Sequence, residues 1–173
     1  MRLLVHFFLV PLLMPNLAVA QETGAKLPLP SREVLERSDQ VVRTLHAAEF
    51  AKTTPAARLE LAKKLLQQGK EIEDSPADRY ALWRQSATLA ILAGDVPLAW
   101  KAVDELGKVF AGSPWEMKAS ILEAGASKGT PADATKFSQA AIAAFEQAKT
   151  LEPDAAGRLL DVARTSAQKA KDK

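Results

Sequence analysis

The stretch A-G-D-V-P-L-A-W-K-A-V-D-E-L, residues 93–106, ends one helix and begins the next. Gly94 tolerates the positive φ that commonly follows a helix end, and Asp95 can accept hydrogen bonds from the first turn of the following helix. Pro97 lies early enough in that helix to be tolerated. Downstream, apolar residues recur at helical spacing at Ala99, Ala102, Val103, Leu106 and Phe110. The stretch predicts two helices joined by a tight turn.

The same kind of helix start recurs about every twenty residues along the chain. It is seen at Thr54-Pro55, Ser75-Pro76, Ser113-Pro114 and Thr130-Pro131. A hydroxyl before the helix accepts a free N–H, and proline at the first helical position loses nothing because its missing N–H would be unpaired there. No stretch alternates with a period of two. We therefore predict an all-α fold, with about seven antiparallel helices stacked as a short superhelical array.

The N-terminus has the features of a signal peptide. Arg2 supplies a positive charge, an apolar run follows it, and Ala18 and Ala20 form a small-residue cleavage site that makes Gln21 the first mature residue. The apolar run is too short to span a bilayer. We therefore expect an extracytoplasmic protein, periplasmic or secreted, with no stable membrane anchor after cleavage. Because the sequence contains no cysteine, packing alone must hold the mature chain together.

Composition divides the chain into three parts. Residues 1–20 form the predicted signal peptide, and residues 21–30, with one glycine and two prolines, predict a flexible leader. Residues 31–173 are the predicted helical domain. Its first helix is expected to begin near Ser31 and to end before Thr54-Pro55, with one apolar face made by Val34, Val41, Leu45 and Ala48.

Two parts of the helical domain resemble known families. The spacing of Trp83, Ala87, Gly94-Asp95 and Ala99 resembles part of a tetratricopeptide repeat (TPR). The longer stretch from Glu49 to about Leu122, with S-P-A-D-R-Y-A-L-W-R and A-G-D-V-P-L-A-W-K-A-V-D-E-L, is similar to a helical domain of predicted exported proteins of Planctomycetes. The resemblance implies a TPR-like fold and export. It carries over no catalytic or ligand-binding residues.

Several classes of function are disfavoured by composition. The formal charge of +2 falls to +1 when Arg2 is removed, which predicts no nucleic-acid partner. The mature chain keeps one histidine, His46, and it lacks both a phosphate-binding loop and a nucleophile elbow. We therefore predict no enzyme activity, no cofactor and no metal site. Carboxylates at Glu71, Glu73 and Asp74 could loosely hold a hard cation, but they lack the pattern of an EF-hand loop.

Aromatic residues give the remaining indication of a binding surface. Trp83 and Trp100 lie on apolar stripes and are predicted to be core. Trp115 lies in the first turn of its helix, so that Trp115, Glu116 and Lys118 are the candidate partner-binding residues, with core packing as the alternative for the indole. The predicted function is a non-enzymatic protein-interaction or scaffold module. The alternative is a small-ligand-binding protein or an accessory subunit of an extracytoplasmic enzyme. A concave, partly polar groove would favour the first, and a closed apolar cavity the second.

Overall fold

The structure, a computed structural model, describes residues 25–171, and over this range the fold is all-α, as predicted. The described chain forms eight helices: α1 (Arg32–Leu45), α2 (Ala47–Phe50), α3 (Pro55–Glu71), α4 (Pro76–Leu92), α5 (Val96–Val109), α6 (Pro114–Lys128), α7 (Pro131–Ala148) and α8 (Pro153–Lys171). The predicted signal peptide and its cleavage site lie outside the described residues.

The helices begin where the hydroxyl and carboxylate signals place them. Asp95 Oδ1 accepts a hydrogen bond from the backbone N–H of Leu98 at 2.9 Å, and Ser113 Oγ accepts one from Glu116 at 2.9 Å. Gly94 has a φ of 79°, the positive value that was predicted for it. The N–H of Asp95 reaches back to the carbonyl of Ala90 at 2.9 Å, which closes the last turn of α4 in a Schellman-type end.

The core is centred on α4. This helix packs against α1, α3, α5 and α6, whereas α8 packs against α6 and α7. Trp83, predicted to be core, is 2% exposed at the contact of α4 with α3, where its Nε1–H donates to the carbonyl of Leu66 at 3.2 Å. The predicted stripe of α5 is confirmed, since all of its members are buried: Ala99, Ala102, Val103, Leu106 and Phe110.

The first helix differs from its prediction in two ways. It is divided at His46, whose φ of −110° interrupts the helix, and this division raises the number of helices from about seven to eight. The predicted apolar face is also wrong, because Val34, Val41 and Leu45 are exposed. The buried positions are instead Ser38, Val42 and His46, each four residues apart. On this side Val42 belongs to the core and Leu35 packs against it. Asp39 and Arg43, on the same helix, form hydrogen bonds with Gln85 of α4.

Part of the predicted leader is held against the helical domain. The N–H of Leu27 donates to the carbonyl of Val109 at 2.8 Å, and the N–H of Ala111 donates to the carbonyl of Leu27 at 2.8 Å. These two bonds form an isolated parallel bridge at the end of α5. Through Leu27, the described part of the leader is therefore bonded to the chain at and just after the C-terminus of α5.

Candidate functional site

A cleft of about 420 Å³ lies where α1, α4, α5 and α6 meet. It is partly open to solvent, and its lining is divided by chemistry. Helices α1 and α4 contribute the charged and amide side chains, which are Asp39, Arg43, Arg84 and Gln85. Helices α5 and α6 contribute mainly apolar side chains, which are Val103, Leu106, Met117 and Ile121. A ligand in this cleft would contact hydrogen-bonding groups on one side and apolar surface on the other.

Hydrogen bonds hold the polar side of the cleft in place. Gln85, which is 6% exposed, donates from Nε2 to Asp39 Oδ1 at 3.1 Å. Its Oε1 accepts a hydrogen bond from Arg43 Nη2 at 3.2 Å. Asp39 also forms an ion pair with Arg84. Because these four side chains restrain one another, the polar side is ordered before any ligand binds, which lowers the entropic cost of binding.

The electrostatics of the cleft are weakly positive. Among the described residues that line it are two guanidinium groups, those of Arg43 and Arg84, and one carboxylate, that of Asp39. Burial lowers the pKa of Arg84, although an arginine remains protonated at neutral pH. Burial also raises the pKa of Tyr80, which therefore lines the cleft as a neutral phenol. The arrangement can bind a group that accepts hydrogen bonds and is joined to an apolar body.

Sequence reasoning did not find these residues. Asp39 and Arg43 are one turn apart on α1, and Arg84 and Gln85 are adjacent on α4, so that each pair taken alone looks like ordinary helix surface. They meet across more than forty residues of chain, with separations of 46 between Asp39 and Gln85 and 42 between Arg43 and Gln85. No local spacing could have indicated the cleft.

Two of the three predicted partner-binding residues lie together in the structure. Lys118 Nζ is 4.8 Å from the ring centroid of Trp115 and 5.5 Å from that of Trp100, and it forms an ion pair with Asp104 Oδ1 at 3.2 Å. Both indoles are half-buried and pack against the core. The Lys118 ammonium therefore lies within cation–π distance of both aromatic rings, which stabilises its position. Trp115 is neither fully core nor fully free.

Glu116, the third predicted partner-binding residue, contacts a different helix, α8. It pairs with Arg158 of α8, and Arg158 Nη2 also pairs with Glu123 Oε2 at 2.6 Å. The hydrogen bond from Arg158 to Glu123 raises the pKa of the guanidinium. Glu116 thus connects α6 to α8, whereas Trp115 and Lys118 face the side of α5. A partner contact at Trp115 stays a prediction.

Residues 25–171 contain no group of three or more His, Cys, Asp or Glu side chains placed to hold a metal ion. Within that range there is also no helix long and apolar enough to cross a membrane.

Comparison with known proteins adds no relative. The chain matches no protein-family model, no curated protein and no solved structure. The resemblance to exported helical proteins therefore stays a prediction.

Proposed function

We propose that this protein is an exported, non-enzymatic interaction module, whose cleft between α1, α4, α5 and α6 binds a segment of a partner protein. The observation that carries the proposal is the cleft itself, which is partly open and is polar on one side and apolar on the other. A closed apolar cavity would instead be typical of a small-ligand site. A peptide segment offers both backbone acceptors for the arginines and side chains for the apolar side.

The order of helix contacts supports a TPR-like stack as the framework of this cleft. Helix α4 packs on α6, and α6 packs on α8, so that every second helix is in contact along this part of the chain. Stacked helical arrays produce such contacts and present extended surfaces for binding. We also propose that Trp115 and Lys118, which lie outside the cleft, contact a partner protein separately from it.

Site-specific photo-crosslinking tests the proposal. A photoreactive amino acid replaces Ser120, an exposed residue that lines the cleft, and a matched variant carries it at Gln139, an exposed residue of α7. Each protein is mixed with an envelope extract of the native host. We expect a discrete crosslinked partner from position 120 that is absent from position 139 and is lost when Arg43→Ala is added. Identical products from both positions would contradict the proposal.

The volume of the cleft supports a second candidate function, the binding of a small molecule. Small-molecule sites span about 300–1,000 Å³, and the cleft, at about 420 Å³, lies within that range. A small-ligand-binding protein, or an accessory subunit that presents such a ligand to an extracytoplasmic enzyme, is therefore the second candidate. A thermal-shift screen separates the two functions. A compound that raises the melting temperature of the protein, but not that of a Ser120→Trp variant with a filled cleft, would favour the ligand-binding protein.

A further inference from the structure

The exposed apolar face of α1 borders a second groove, on the side of α3. This groove has a volume of about 260 Å³ and lies between the end of α1, the end of α3 and the start of α4. Its apolar lining includes Val41, Leu45, Ile72 and Leu82. Leu45 is 73% exposed and Val41 is 55% exposed. An apolar groove bordered by such exposed side chains is typical of a docking surface.

Two carboxylates line this apolar groove, and two more are close to it in the sequence. Glu71 and Asp78 line it, and Glu73 and Asp74 follow Ile72 on the connection from α3 to α4. In the described part of the chain, none of these four carboxylates forms an ion pair with a lysine, arginine or histidine. The negative charge beside the groove is therefore not neutralised by an ion pair of the protein itself.

The groups that donate hydrogen bonds to these carboxylates are neutral, so they do not cancel the negative charge. Glu71 Oε1 accepts from the neutral amide of Gln67 at 2.9 Å, and Asp78 Oδ2 accepts from the hydroxyl of Ser75 at 2.7 Å. Arg79 is a nearby cation, but its Nε donates to a backbone carbonyl and its guanidinium lies 5.7 Å from the ring centroid of Trp83. A basic partner would therefore find the carboxylates available.

The groove also contains an unused hydrogen-bond acceptor. Gln68 lines it, and the Oε1 atom of Gln68 is buried without a donor among residues 25–171. Leaving a buried acceptor unpaired costs free energy in the unbound protein. A donor brought by a ligand would remove that cost on binding if the Gln68 side chain turns its amide oxygen toward the groove.

We propose that the groove lined by Val41, Leu45, Ile72 and Leu82 binds a segment of a partner protein in which an apolar side chain lies next to lysine or arginine. The apolar side chain enters the groove, and the neighbouring cation reaches the carboxylates of Glu71 and Asp78. Charge complementarity thus selects the partner, while apolar burial supplies most of the affinity. The site is separate from the cleft and does not depend on the function proposed for it.

Fluorescence anisotropy with two labelled peptides tests the assignment. The peptides have the same length and the same leucine pattern, and they differ only in carrying lysine or glutamate between the leucines. We expect the lysine peptide to bind the protein at least about tenfold more tightly than the glutamate peptide, and high salt to weaken its binding. Equal binding of the two peptides, or no binding of the lysine peptide, would overturn the proposal.

Matched leucine variants place the peptide on the groove. Leu45→Ser should weaken binding of the lysine peptide about tenfold, because it removes the apolar contact. Leu151→Ser changes a leucine of similar exposure, 69%, in the connection between α7 and α8, and it should leave binding unchanged. Equal loss in the two variants would overturn the assignment. So would a protein that self-associates through Leu45, seen by sedimentation, because a second copy would then be the occupant.

A Gln68→Met variant separates a binding role from a structural one. It removes the unpaired acceptor while keeping side-chain length, so the free protein should melt at an equal or higher temperature. Binding of the lysine peptide should nevertheless weaken by a fewfold, because the donor of the ligand has lost its acceptor. A variant that binds as tightly as the original protein would show that Gln68 takes no part in the site and would contradict that part of the proposal.

Discussion

Gly69 lies at a position where the structure leaves no room for a methyl group. It lies in α3 against Trp83 of α4, and an ideal Cβ at this position would be 2.4 Å from Trp83 Nε1 and 2.6 Å from Trp83 Cδ1. The indole has little room to withdraw, because it is 2% exposed and its Nε1–H donates to the carbonyl of Leu66. Gly69→Ala must therefore displace either the indole or the two helices.

The magnitude follows from three contributions to the free energy of unfolding. Alanine in place of glycine inside a helix stabilises by about 1 kcal/mol. Overpacking of a well-packed core destabilises by about 1–3 kcal/mol. Loss of the Trp83–Leu66 hydrogen bond adds about 1 kcal/mol of destabilisation. We therefore expect Gly69→Ala to destabilise the protein by about 2 kcal/mol, which lowers the melting temperature by about 4–8 °C for a chain of this length.

Gly157 provides the matched control. It is an exposed glycine of α8, and apart from its chain neighbours and its own helix backbone, no atom of residues 25–171 lies within 4 Å of an ideal Cβ there. Gly157→Ala should stabilise the protein by about 1 kcal/mol, so the two variants should shift in opposite directions. Urea denaturation followed by circular dichroism measures both. A neutral or stabilised Gly69→Ala would refute the close contact between α3 and α4.

Three further predictions concern the turn, the last helix and export. Gly94→Val should cost more than about 1 kcal/mol in a thermal melt, because a branched residue resists a φ of 79°; an unchanged melt would contradict the turn. Lys169→Ala should cost about 1 kcal/mol in urea denaturation, because it removes hydrogen bonds from Nζ to the carbonyls of Ala126 at 2.9 Å and Gly129 at 2.7 Å; an unchanged midpoint would count against them. N-terminal sequencing of protein from the native host should begin at Gln21, and an intact initiator methionine on soluble cytoplasmic protein would exclude export.

Helix boundaries could be predicted from the sequence because they depend on neighbouring residues. A Ser, Thr or Asp before a helix start can bond to an N–H three residues away, as Asp95 does with Leu98 and Ser113 with Glu116. Gly94 ends α4 because glycine adopts positive φ without steric cost. The buried face of α5 could also be predicted, because its apolar residues recur at helical spacing on one side of the helix.

Tertiary structure alone decided which face of α1 is buried and where ligands could bind. The sequence indicated Val41 and Leu45 as core, yet α1 buries the neighbouring Val42. Asp39 and Arg43 of the same helix bond to a residue of α4 that is more than forty positions away. Polar contacts of this kind leave no periodic trace, because their energy depends on which side chain stands opposite and not on the spacing along one helix. The cleft and the α1 groove arise from the same orientation. The sequence determined where most of the helices begin and end, and tertiary packing decided which of their surfaces remain open, because the side chains that meet there are far apart in the sequence.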